Sequence, residues 1–264
     1  MKKMVICMMV VGLAMPGFST LVTALDVYLD IPEQEVERIR DELKDAKKLK
    51  EYMGRIVGSL NPTSYEKMEE FKKRFNVGDE PMQTALMDII REASTKTGWK
   101  RSRPDDAWDM RIADRQLLPW AITCLGICAN TEGKKFLMDI ATDSAKDDDF
   151  RWTAICSYLR RADAQETRDT LVLFLTGDMK TTLNLPYHGL YFSAISLYDN
   201  TKENSQKREA IIFALTAALM LEKDKEVFSW ADKLLAERST EYAESPQRKA
   251  ALERMNKPPE KETP

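Results

Sequence analysis

The sequence predicts an all-α protein, an array of helical hairpins preceded by a long N-terminal helix. Apolar residues recur every three or four positions over most of the chain, which is the period of a buried helix face. No stretch shows the strict alternation of apolar and polar residues that a half-buried strand requires. Pairs of helical segments joined by short polar turns recur in the second half of the chain, which favours stacked hairpins.

Residues 1–24 have the composition of a secretion signal. Lys2 and Lys3 precede an apolar stretch, Met4 to Met15, which is shorter than the ~20 residues needed to span a bilayer. The small residues of Val22-Thr23-Ala24 stand where signal peptidase reads the chain. We therefore expect cleavage after Ala24, a periplasmic or secreted protein, and no membrane span after cleavage. A buried first helix is the alternative.

A long amphipathic helix is expected next. Pro32 stands at a favoured first position, and an apolar stripe runs from Val36 to Leu60. Asn61-Pro62 ends the pattern, so the helix would be ~40 Å long at ~1.5 Å per residue. Two shorter helices follow, and together they form a predicted N-terminal helical segment, residues 25–103.

Residues 94–107 interrupt the helical pattern and mark the boundary with a predicted repeat region, residues 104–256. Basic residues surround Trp99 there, and such a loop would suit a phosphate or a nucleic acid strand. Three aspartates follow at once, and the formal charge of the whole chain is −3, so a solvated connector and no nucleic acid partner are expected. Residues 257–264 hold three prolines and are predicted to be a disordered tail.

The repeat region contains three similar helix centres. The pairs Ala121-Ile122, Ala154-Ile155 and Ala194-Ile195 are separated by 33 and 40 residues. A second apolar helix follows each of the first two pairs, with Leu137 and Leu171 in corresponding places 34 residues apart. Two helices and two turns in such a length are the unit of an α-solenoid.

The clearest copy of this unit runs from Asp148-Asp149-Phe150-Arg151-Trp152-Thr153-Ala154-Ile155 to Leu171-Val172. It resembles the HEAT and armadillo-like helical-repeat superfamily, and the resemblance covers roughly residues 114–238. The resemblance implies a right-handed α-solenoid-like array with an elongated surface for proteins or peptides. A tetratricopeptide repeat fits less well, because Trp120 and Leu125-Gly126 have the wrong spacing.

Ile211 to Leu221 is apolar on nearly every side of a helix, with only Thr216 polar. A helix that is apolar all round is usually central. We therefore expect this segment to be the most buried element, with Phe213 and Leu219 both in the core.

No catalytic, cofactor-binding or metal-ligating residue is assigned. Phosphate-loop, dinucleotide and nucleophile-elbow motifs are missing from the sequence, and the single histidine, His188, has no evident catalytic partner. Asp143 and Asp147 to Asp149 would suit Ca²⁺, but acidic residues before a helix also stabilise its N-terminus. Asp199 to Glu209 resembles a calcium loop without its glycine.

Three cysteines remain after the signal segment: Cys124, Cys128 and Cys156. An odd number cannot all pair within one chain, and Cys124 and Cys128 are four apart in a helical pattern, which is unfavourable for a bridge. They are expected to be small buried residues. A bridge from Cys156 to Cys124 or Cys128 is the alternative.

These observations favour an exported, non-catalytic helical-repeat protein that binds or scaffolds an unidentified protein or peptide partner. An exported all-α hydrolase or lyase with a carboxylate-based active site is the alternative, because the many acidic residues offer numerous possible pairs.

Overall fold

The computed structural model describes residues 24–58, 65–99, 112–177, 189–201 and 204–256, and these ranges hold fourteen helices and no strand. The all-α prediction is confirmed. The signal segment before Ala24, His188 and the tail 257–264 lie outside the described residues. In chain order the helices are α1 (Ala24–Leu29), α2 (Glu33–Glu42), α3 (Ala46–Val57), α4 (Tyr65–Arg74), α5 (Asp79–Thr97), α6 (Ile112–Cys128), α7 (Thr131–Thr142), α8 (Asp148–Arg161), α9 (Ala164–Thr176), α10 (Gly189–Asn200), α11 (Ser205–Leu221), α12 (Lys225–Arg238), α13 (Thr240–Glu244) and α14 (Pro246–Asn256).

The prediction of one long N-terminal helix is wrong, because the helix is interrupted between α2 and α3. Asp45 caps α3 by accepting a hydrogen bond from the Lys48 backbone N–H at 2.9 Å. Leu43 and Leu49, on either side of the break, are both buried. The apolar stripe therefore continues across the break, and its period alone could not reveal the interruption.

The helices before residue 99 pack against those that follow residue 112. α3 packs on α5, and α5 packs extensively on α6. The Gln83 side chain of α5 also accepts a hydrogen bond from the Asn130 backbone N–H, just before α7, at 2.9 Å. Buried side chains from both sides belong to one apolar core. The predicted boundary itself, between residues 103 and 104, lies outside the described residues.

The second half of the chain is organised around α8 and α11. α8 packs on both α6 and α7, and α11 packs most extensively on α9. α11 also contacts α10, α12 and α14. Within the described ranges, no helix combines the length and hydropathy needed to cross a membrane.

Basic side chains from one helix bind the C-terminal carbonyl groups of another. The last carbonyls of a helix have no partner within it, and a charged donor satisfies them strongly. The contacts are Arg40 to the Arg74 carbonyl at the end of α4, Arg161 to Ile127 at the end of α6, Arg151 to Ala141 at the end of α7, Lys207 to Leu159 and Ala162 at the end of α8, and Arg254 to Leu219 and Glu222 at the end of α11.

α11 is only partly the buried helix that the sequence predicts. Ile211, Leu215 and Leu219 form its buried face, and Leu219 is 1% exposed. Phe213, however, is 47% exposed and Leu221 is 62% exposed. The expectation that Phe213 lies in the core is therefore wrong. The helix has a second, largely apolar face that the other described helices cover only in part.

Candidate functional site

A groove of about 630 Å³ runs along the second face of α11. The residues of α11 that line it recur every three or four positions, which is the spacing of one helix face. The start of α9 forms one wall, and α13 with the start of α14 forms the other. The lining residues are Gln206, Glu209, Ala210, Ile212, Phe213, Thr216, Ala217 and Met220 of α11, Ala164, Gln165 and Arg168 of α9, and Glu241, Tyr242, Ser245 and Gln247 near α13 and α14.

Phe213 and Arg168 form the centre of the groove. The guanidinium carbon of Arg168 lies 3.7 Å from the centroid of the Phe213 ring, which is a close cation–π contact. Among the described residues, no carboxylate forms an ion pair with Arg168. Aromatic residues and arginine are enriched in protein interfaces relative to the rest of the surface.

The charged rim of the groove has an excess of carboxylates. Glu209 and Glu241 both line it, and neither forms an ion pair within the described ranges. Arg168 is the single basic residue among the described lining residues, and its charge is placed against the Phe213 ring. The other polar groups on the lining are glutamine amides and hydroxyl groups, which are neutral donors and acceptors.

The wall formed by α13 is held in place by a buried polar cluster. The Tyr242 hydroxyl donates to the Asp232 carboxylate at 2.9 Å, and Arg248 donates to the same carboxylate at 2.7 and 3.0 Å. Burial and the contact with Asp232 raise the pKa of Tyr242 well above its usual value. The phenol therefore stays protonated and committed to Asp232, which gives the groove a rigid side.

The carboxyl groups with shifted pKa values lie away from the groove. The Arg38 side chain lowers the pKa of Glu35, and Lys44 and Lys146 do the same for Asp41 and Asp143. A carboxyl group that serves as a general acid needs the opposite shift. These three groups are exposed or half-buried surface residues in ion pairs with near neighbours in the chain.

Trp99 does not form an open stacking platform. Its ring packs edge-on against Phe150, with centroids 6.0 Å apart, and Lys146 Nζ lies 4.9 Å from its centroid. Its carbonyl oxygen accepts a hydrogen bond from the Asp147 backbone N–H at 3.2 Å. Trp99 therefore joins the end of α5 to the start of α8. The basic residues that follow it lie outside the described residues.

The acidic residues before and at the start of α8 form hydrogen bonds and ion pairs with neighbours close in the chain. Asp143 accepts from the Ala145 backbone N–H and from Lys146, and Asp148 forms an ion pair with the buried Arg151 at 2.9 Å. In the segment that resembles a calcium loop, Asp199 pairs with Arg238 at 2.9 Å. Within the part of the chain that the structure describes, no group of three or more metal-ligating side chains is found.

Cys124, Cys128 and Cys156 are free thiols, so the bridge held open from the sequence is not formed. Burial raises the pKa of Cys128 to about 12 and that of Cys156 to about 12. Burial also raises the pKa of Cys124. Such thiols remain protonated near neutral pH and are poor nucleophiles.

The sequence reasoning assigned no site residues and missed the groove. The available signal was the composition of α11, which is apolar on nearly every side although its buried face needs only part of that surface. Comparison of the chain with models of known protein families, with characterised proteins and with solved structures finds no match.

Proposed function

We propose that this is an exported, non-catalytic binding or scaffold protein, and that the groove along α11 receives a segment of a partner protein. The exposed ring of Phe213 in the middle of a groove with two helical walls is the observation that carries the proposal. Concave surfaces that combine apolar side chains with a few polar groups are the usual binding sites of soluble proteins.

The proposed architecture is a right-handed, HEAT-like α-solenoid over roughly residues 114–238. Its support is the packing of non-consecutive helices, α6 on α8 and α9 on α11, which is expected when hairpins stack. The contact between Arg161 and Ile127, 34 residues apart, also matches the predicted repeat length. Stacked hairpins form elongated grooves that suit peptides and helices of other proteins.

The proposed periplasmic or secreted location rests on the sequence of residues 1–24. The proposed units, residues 25–103 and 104–256, follow from the break in helical pattern around residue 100. The packing of α5 on α6 supports a groove held on one continuous body of helices.

Site-specific photo-crosslinking in cells tests the binding role. Benzoylphenylalanine would replace Phe213 in one variant, and Leu173 or Phe192 in two control variants with exposed apolar residues outside the groove. We expect a discrete crosslinked product from position 213 that is missing at positions 173 and 192. Equal products at all three positions, or none at 213, would contradict the proposal.

A further inference from the structure

We infer that the occupant of the groove is an amphipathic helix of a partner protein, about four turns long, with lysine or arginine beside its apolar face. This inference rests on the proposed function and names the chemistry of the partner at the same site.

The length of the groove indicates the length of the occupant. The lining stripe of α11 runs from Gln206 to Met220, which spans about 21 Å at ~1.5 Å per residue. An occupant helix lying along this stripe would therefore have about four turns. Its apolar residues would recur every three or four positions, so that they meet Phe213, Ile212 and Met220.

The chemistry of the lining favours a helix over an extended peptide. An extended segment leaves its backbone N–H and C=O groups unpaired, and a strand edge, one common way to pair them, is not found in the described ranges. A helix satisfies its own backbone groups and needs only side-chain contacts. The groove supplies side-chain contacts, from Phe213, Met220 and the alanines between the helical walls.

The charges on the rim indicate which charge the residues beside the apolar face of the occupant should carry. Glu209 and Glu241 are the carboxylates that line the groove, and neither has an ion-pair partner in the described ranges. Lysine or arginine residues beside the apolar face of the occupant would supply the missing partners. A second copy of this chain docked through the same face would bring two more glutamates to the groove, so it is the less favoured occupant.

Designed peptides test the inference on the full mature chain. Three labelled peptides of about 15 residues would be compared: a helical peptide with one leucine face and lysine flanks, its twin with glutamate flanks, and a scrambled lysine peptide. Fluorescence anisotropy gives the dissociation constants. We expect the lysine peptide to bind about tenfold more tightly than either of the other two.

Variants of the protein separate the contribution of the Phe213 ring to peptide binding from that of the rim glutamates. Phe213→Ser should abolish binding of the lysine peptide, whereas Leu173→Ser, at an exposed leucine outside the groove, should leave it unchanged. Leu173 and Phe213 are both exposed, so neither substitution should unfold the protein. Circular dichroism checks that both variants remain folded. The double variant Glu209→Lys with Glu241→Lys should reverse the preference in favour of the glutamate peptide.

Each failure has a separate meaning. Equal affinity for the lysine and glutamate peptides would overturn the basic flank, and equal binding of the scrambled peptide would overturn the helix. Concentration-dependent dimers that Phe213→Ser removes would make a second copy the occupant and overturn the inference. If no peptide binds but position 213 still crosslinks in cells, the inference of a helical occupant is wrong and the proposed function stands. If both experiments fail, both proposals fall.

Discussion

Gly126 of α6 lies directly against the backbone of Ser157 in α8, so closely that a β-carbon on Gly126 would stand 2.7 Å from the Ser157 carbonyl oxygen. The contact sets the distance between two of the most extensively packed helices. From the sequence, Leu125-Gly126 was considered only as part of a tetratricopeptide pattern, which its spacing does not fit. The structure gives this glycine a different reason, which is the close approach of two helices.

Gly126→Ala should therefore lower the free energy of unfolding by about 1–3 kcal/mol, because the new methyl group must push α8 away. Gly54→Ala is the matched control. Apart from its chain neighbours and the backbone of its own helix, no described atom lies within 4 Å of a β-carbon at Gly54, in the interior of α3. Alanine there should raise stability by about 0.5–1 kcal/mol. Urea titration measures both changes, and a loss at Gly54 equal to that at Gly126 would contradict the account.

Leu219→Ala and Phe213→Ala should have very different costs although both residues belong to α11. Leu219 is 1% exposed, so its truncation leaves a cavity and should cost about 2–5 kcal/mol. Phe213 is half-exposed and mainly loses its contact with Arg168, so its truncation should cost about 1 kcal/mol or less. Equal losses in urea titrations of the two variants would mean that Phe213 is buried in solution.

Arg151→Met should be strongly destabilising. The Arg151 side chain is 1% exposed, donates to the Ala141 carbonyl at 3.1 Å and pairs with Asp148 at 2.9 Å. Methionine would leave the buried Ala141 carbonyl without this donor, which costs about 1–3 kcal/mol, and the quarter-exposed Asp148 would lose its ion pair. Arg168→Met, at an exposed arginine without a carboxylate partner in the described ranges, is the control and should change stability by less than about 1 kcal/mol. Thermal unfolding that is identical for the two variants would refute the assigned role of Arg151.

After the proposed cleavage, the protein should carry three reactive thiols when denatured without reductant and none that reacts quickly when folded. Cys124, Cys128 and Cys156 are free, and burial raises their pKa values. Titration with Ellman's reagent, with and without urea, counts them. A single thiol in the denatured chain would reveal a disulfide bridge, and four would show that Cys7 is retained.

The mature chain is expected to begin at Leu25, because residues 1–24 have the order of a secretion signal. α1 keeps its contacts after such a cleavage, since Asp26 pairs with Lys67 and the Tyr28 ring packs edge-on against Phe71. N-terminal sequencing of the protein recovered outside the cytoplasm gives the first residue. Retention of Met1 would contradict both the cleavage site and the proposed location.

The sequence predicted the helical class well, because it depends on local patterns. Local signals of this kind also mark the start of α14, where Ser245 precedes a helix that begins at Pro246. The break between α2 and α3 escaped prediction because Asp45 interrupts the helix without interrupting the apolar stripe. α13, at Thr240–Glu244, was missed because five residues give no periodic signal.

The groove could not be predicted from the sequence, because it depends on which face of α11 the neighbouring helices leave open. The apolar residues of α11 read as one continuous surface, and periodicity cannot tell a face that a neighbour covers from one that stays open. The position of α13, beyond a short turn after α12, decides how wide the groove is. Only the packing of separate helices separates Leu219, in the core, from Phe213, in the groove.

The contacts between basic side chains and helix ends make the chain intolerant of shortening. A stop codon after α13 would remove Arg254 and leave the carbonyl groups of Leu219 and Glu222 without their donor, although α11 itself would be intact in sequence. The damage from this deletion would thus appear upstream of the cut, at the end of α11. Translation would have to reach α14 before the walls of the groove are complete, so the groove would form only after the other described helices have been synthesised.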